Sequence, residues 1–86
     1  MKIRKRYVEV VVLFTEDGHL VPQMIFWEDG KKFKIDKVIQ VCESASRKAG
    51  GQGLRYTCRI KGRDHFLFYE DPAWFVEERV YAMESR

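Results

Sequence analysis

Residues 54–60 read LRYTCRI. Leu54, Tyr56, Cys58 and Ile60 alternate with Arg55, Thr57 and Arg59, and a period of two places the apolar set on one face of a half-buried strand. The punctuation around this strand is just as specific. Asp17-Gly18 and Asp29-Gly30 each sit between apolar segments, and Asp-Gly supplies the positive φ angles of a two-residue hairpin turn. These turns imply strands near residues 4–14, 20–28 and 31–42. Gly62-Arg63 turns LRYTCRI into HFLFYE, and Asp71-Pro72 separates that strand from WFVEERVY.

Eighty-six residues make one domain, spanning 1–86. A chain of this size buries only about 60–65% of its unfolded surface, so its core must be efficient. A composition 45% hydrophobic and 14% aromatic allows that. The expected fold is all-β: a small SH3-like barrel or a strongly bent antiparallel meander of five to six strands, since closure removes exposed edges. The last segment fits two structures. Asp71 and Pro72 suit a helix start, with Ala73, Val76, Val80 and Met83 at helical spacing. Strand-favouring Trp74, Phe75 and Val76 instead predict a hairpin in which Tyr69 faces Trp74 and Phe68 faces Phe75, with any short helix left to the C-terminal residues.

A two-residue turn at Asp29-Gly30 pairs Phe26 with Phe33 and Met24 with Ile35. It sets Trp27 opposite Lys32 and Ile25 opposite Lys34, where lysine stems cover the rings or frame a stacking platform. The first strand is apolar on both faces: Val8, Val10, Val12 and Phe14 on one, Tyr7, Val11 and Leu13 on the other. Such a strand is covered twice or lies at a contact with another chain. Val8, Val10, Val12 and Ile25 are the candidate contact residues, for a homodimer or another protein.

Charge is uneven along the chain. Residues 1–30 carry four Lys/Arg and five Asp/Glu, residues 31–63 ten and two, and residues 64–86 two and six. The basic middle contains ASRKAGGQGLRY, whose glycines raise the question of a phosphate loop. A P-loop requires Gly-Lys-Ser/Thr opening a helix, and the dinucleotide fingerprint a third glycine where Tyr56 stands. Both are excluded, leaving a basic hairpin loop whose amides can meet an anion. Arg55, Thr57, Arg59 and Lys61 follow it on the solvent face of one strand, roughly 7 Å apart, near the spacing of successive phosphates. With Arg47, Lys48, Lys32, Lys34 and Trp27 they form the candidate nucleic-acid surface, suited to a single strand. The competing expectation is a solvated face, partly neutralised by Glu77 and Glu78.

Catalysis finds little support. His19 and His65 lie beside turns with no nucleophile placed against either. Cys42, Cys58, His19 and His65 lack zinc-site spacings, and the acidic pairs mostly occupy turns. No metal, cofactor or enzymatic activity is predicted. Cys42 and Cys58, expected on opposite sheet faces if Ile39 and Val41 join Tyr56 and Cys58 in the core, predict no disulfide. That suits a reducing cytoplasm. The basic start before YVEVVVLF is read as a strand rather than a leader, because Glu9 interrupts it and no small-residue cleavage site follows. No apolar run approaches the roughly 18 residues of a membrane span.

The run DGHLVPQMIFWEDGKKFKIDKV (17–38) and the later YEDPAWFVEERV (69–80) resemble a small bacterial all-β domain family of unknown function, found alone or appended to DNA-repair polymerase-like proteins. The likeness covers about a third of the chain, through Asp-Gly, Pro22, Trp27, FKIDKV and the tryptophan-bearing last strand. It implies a compact barrel and a nucleic-acid context by association, and carries no catalytic residue. The function predicted is a non-enzymatic binding module with a basic, nucleic-acid-binding face; the alternative is a protein-interaction or homo-oligomeric module using the first strand.

Overall fold

Asp17-Gly18 and Asp29-Gly30 do reverse the chain, each with one residue more than a two-residue turn. In the computed structural model, which describes residues 2–45 and 52–80, Thr15 N–H donates to His19 O at 2.8 Å and Trp27 N–H to Lys31 O at 2.8 Å. The loops are therefore 16–18 and 28–30, with Gly18 at φ 90° and Gly30 at φ 84°. That is the three-residue hairpin, a tight turn completed by one left-handed glycine. The extra residue moves the register, so Phe26 pairs with Lys32, Ile25 with Phe33 and Met24 with Lys34. A slip of one residue changes which side chains share a face. Lys32 and Lys34 thus lie on the outer face, opposite in sense to Ile25 and Phe33, and the expected Phe26–Phe33 and Met24–Ile35 pairs do not form.

The strands are β1 (Lys2–Phe14), β2 (Leu20–Phe26), β3 (Lys32–Lys34), β4 (Lys37–Ala45), β5 (Gln52–Ile60), β6 (Arg63–Glu70) and β7 (Ala73–Val80). They form one antiparallel sheet in the order β3-β2-β1-β7-β6-β5-β4. Seven strands stand where five or six were expected, because the run near 31–42 changes partners midway. Ile35 N–H donates to Gln23 O on the β2 side at 2.9 Å, while the next amide, Asp36 N–H, donates to Arg59 O on β5 at 2.8 Å. Since β3 and β4 are the two sheet edges and also consecutive in the chain, this switch rolls the sheet into a curled half-barrel. There is no helix among the described residues, hence none long and apolar enough to cross a membrane. Residues 73–80 are strand, with Tyr69 facing Trp74 and Phe68 facing Phe75 as the hairpin expectation required. The helix allowed for the last residues falls on 81–86, outside the described residues.

The core lies inside the curl. Ile25, Ile35, Tyr56, Cys58, Ile60, Leu67 and Trp74 are buried there, and Val8, Val10 and Val12 pack against them. Val8, Val10, Val12 and Ile25, proposed from sequence as a contact surface, therefore face inward. Of β1's two apolar faces, the valine row is the one whose partners in register are Trp74, across from Val8, and Ile25, across from Val10. Ile39 and Val41, expected inside, are 40% and 48% exposed. A bulge between Val38 and Gln40 makes Ile39 the extra residue and hands the core position to Val38, whereas Val41 stays on the core side opposite Tyr56 and is exposed because β4 is a sheet edge. Tyr56 satisfies its buried hydroxyl by donating to Leu20 O at 2.7 Å. Both cysteines are free. Cys42 pairs with Arg55 on the outer face, and burial pushes the Cys58 thiol up to about 11, so it stays protonated at neutral pH.

Candidate functional site: a groove between parting strands

β6 and β7 are joined by only three residue pairs, Phe68–Phe75, Tyr69–Trp74 and Glu70–Ala73. Beyond these the strands part. Arg63–Leu67 continues along β5 alone, and Val76–Val80 along β1 alone. The separation leaves an open groove of about 910 Å³ lined from both sheet faces, with Trp27, Phe33, Leu67 and Val76 among its inner residues and Phe66 and Arg79 among its outer ones. Lys61, Arg63, His65 and Arg79 bring positive or titratable charge to it, and Glu77 is its one carboxylate among the described residues.

The turn at the head of β6 explains two of these cations. It is Lys61-Gly62, with φ 52° and 79°, the two positive φ angles of a two-residue hairpin. Arg63 thereby becomes the first strand residue, opposite Ile60. Lys61 leaves the solvent row it was expected to continue. Its backbone N–H donates to Asp36 Oδ2 at 3.2 Å, and its ammonium lies 5.7 Å from the Phe33 ring centre. Trp27 stands edge-on to Phe33 at 6.3 Å, with the Arg6 guanidinium 4.6 Å above its ring. Cations held over rings in this way gain from the ring quadrupole as well as from contact.

The alternating row on β5 is otherwise engaged. Arg55 lies 4.5 Å over the Phe66 ring, with its Nε buried and without a hydrogen-bond partner. Arg59 Nε meets Asp64 Oδ1 at 3.0 Å. Lys32 and Lys34 are exposed on β3, at the far edge of the sheet from β4. Arg47 and Lys48 lie outside the described residues. Of the cations singled out in the sequence, the structure thus brings Lys61 to the groove, together with Trp27. Arg63, His65, Phe66 and Arg79 carry no local signal, since their place depends on where a ladder stops.

Ion pairs separate the remaining cations into two groups. Arg4 and Arg6 both reach Glu78, at 2.9 and 3.0 Å, Arg6 also contacts Glu28, and Lys5 reaches Glu70 at 2.9 Å. Lys61, Arg63 and Arg79 make no ion pair among the described residues. The Arg4 hydrogen bond, then the Arg6 and Arg4 charges, hold the Glu78 carboxyl below its ordinary value of 4.5. A folded-state value below the unfolded one stabilises the fold above the unfolded pKa, and that contribution disappears as pH falls through the lowered value. Glu78→Gln is therefore expected to flatten the acid limb of a thermal-stability profile below about pH 4.5 while leaving its slope between pH 6 and 8 unchanged; thermal melts across a pH series check this.

Among the described residues no three His, Cys, Asp or Glu side chains are grouped as a metal site would require. His19 Nδ1 lies 3.2 Å from Asp17 Oδ2 on an exposed turn. Thr15, whose hydroxyl bonds the same Asp17 carboxylate, completes the turn. A scan of protein-family models, a search of curated proteins and a search of solved structures each find no match to this chain.

Proposed function

We propose that the protein is a non-enzymatic binding module, an SH3-like barrel in its general plan, that holds single-stranded nucleic acid along the groove between β6 and β7. The observation that carries this is the coincidence of three cations without ion-pair partners among the described residues, Lys61, Arg63 and Arg79, with aromatic rings at Trp27, Phe33 and Phe66. Single-strand sites combine these two elements, a cationic track for phosphates and flat surfaces for bases. The wide, shallow form of the groove suits a splayed strand better than a rigid duplex. A cytoplasmic location fits the same reading, as does the likeness to a bacterial domain found beside DNA-repair polymerase-like proteins.

The test is fluorescence anisotropy of labelled dT and mixed-sequence oligonucleotides across a salt series. Three phosphate contacts predict a log–log salt slope of about −2, at roughly −0.7 per contact. Combining Lys61→Ala, Arg63→Ala and Arg79→Ala is expected to abolish measurable binding. Arg59→Ala, which removes a cation already held by Asp64, should change affinity less than about twofold. Absence of binding at about 50 mM salt, where electrostatic association is strong, would sink the proposal.

A further inference from the structure

The outward row of β1 reads Ile3, Lys5, Tyr7, Glu9, Val11 and Leu13, since Val8, Val10 and Val12 point to the core. Four of the six are large apolar side chains left 46–62% exposed. Successive members of such a row stand about 7 Å apart. Buried rings support the row from below: Tyr7 lies 5.7 Å from Phe75, which is stacked on Phe68 at 5.1 Å and 7°, and both phenylalanines are buried. Four large apolar side chains left exposed along one row mark a contact rather than chance exposure.

Its order indicates what covers it. About Tyr7 the row is symmetric in shape and antisymmetric in charge: Ile3 and Val11 lie four residues to either side, and Lys5 and Glu9 two. We propose that a second copy of this chain packs its β1 face to face on the first, antiparallel, about a two-fold axis at Tyr7. Tyr7 then meets Tyr7 of the other copy, Ile3 meets Val11, and Lys5 meets Glu9, twice each. A two-fold contact requires this self-complementarity, whereas a foreign partner has no use for it. The Lys5 ammonium is already fixed on the outer face, 2.9 Å from Glu70 and 4.7 Å from the Phe75 ring centre. Glu9, by contrast, makes no ion pair among the described residues. Sheets stacked this way sit about 10 Å apart with strands crossed by about 30°, which keeps the central five residues in register.

Sedimentation velocity between about 5 and 500 µM tests the interface. The wild type is expected to show a concentration-dependent dimer, and Tyr7→Arg or Val11→Arg a monomer with an unchanged far-UV spectrum. Glu9→Lys alone and Lys5→Glu alone each oppose like charges and should weaken association at least tenfold. Mixed one to one, they restore both ion pairs and should associate as a heterodimer. If Lys5→Glu loses the fold with its Glu70 contact, Val11→Arg and Glu9→Lys still decide the matter. A wild type that stays monomeric throughout overturns the proposal and leaves a foreign protein as the occupant, as does dimerisation undiminished in Tyr7→Arg and Val11→Arg. Oligonucleotide binding in the Tyr7→Arg variant separates failure here from failure of the groove.

Discussion

Trp74→Ala is expected to remove a large share of the protein's stability. Truncating a buried tryptophan typically costs about 3–5 kcal/mol, and a domain of this length holds only about 4–13 kcal/mol in total. Trp74 is 8% exposed and packs against Tyr56 at 5.3 Å and Tyr69 at 4.6 Å. It also occupies a junction, opposite Val8 in the β1–β7 ladder and opposite Tyr69 in the short β6–β7 ladder. A cavity there loosens the three pairs that hold the two strands together, and the groove has no other seam between them. Urea unfolding followed by circular dichroism should show a large fall in the midpoint, with Trp74→Phe retaining more of it and a cooperative transition. A loss below about 1 kcal/mol in Trp74→Ala would place the mechanical centre of the sheet elsewhere.

Gly53→Val is expected to be almost as damaging, for the opposite reason. A Cβ at Gly53 would stand 3.0 Å from Tyr69 O, 3.0 Å from Glu70 Cγ and 3.1 Å from Ser44 O. Two of these three atoms belong to backbone in the flanking strands β6 and β4, which cannot yield without spreading the sheet. Overpacking typically costs about 1–3 kcal/mol; with backbone on both sides and a branched side chain, the upper end applies. Gly53→Ala should be milder and Gly53→Val should broaden the melt. Gly18 and Gly30 supply the comparison. Open space surrounds both, and each has positive φ, so alanine there costs only conformational strain, about 1 kcal/mol. Thermal melts of the four variants rank space against backbone conformation directly.

The part of the fold set by local alternation was legible from residues alone. The inward set Leu54, Tyr56, Cys58 and Ile60 and the pairing of Tyr69 with Trp74 both follow from period two and a tight turn. What depended on one residue more or less in a loop was not. Asp-Gly serves two- and three-residue hairpins alike, and only the hydrogen bonds around Gly30 tell which, so Trp27 and Lys32 were set opposite each other when they belong to different faces. β1 posed a different difficulty: with both faces apolar, its inward row is chosen by distant partners, Trp74 and Ile25. The groove is further still from local pattern. Arg63 and Arg79 meet there because a ladder ends after three pairs, while Arg55 and Arg59, the obvious basic row, are engaged by Phe66 and Asp64 on the neighbouring strand.

Five of the six ladders join strands that follow one another in the chain, and the sixth sets Lys2 beside Val80. During synthesis β1 therefore emerges before the other six strands, and its Lys2–Val8 half waits for its partner until the five strands between them have been made. Glu9–Phe14 is taken up early by β2, whereas Lys2–Val8, the half of β1 that β7 pairs, waits throughout that interval, and an unpaired strand edge of this kind seeds association between nascent chains. Lys2, Arg4, Lys5 and Arg6 lie within that waiting half, and charges on an exposed edge act as gatekeepers against aggregation. The basic residues that anchor Glu78 and Glu70 in the finished half-barrel thus have an earlier task, keeping the strand solitary until β7 arrives.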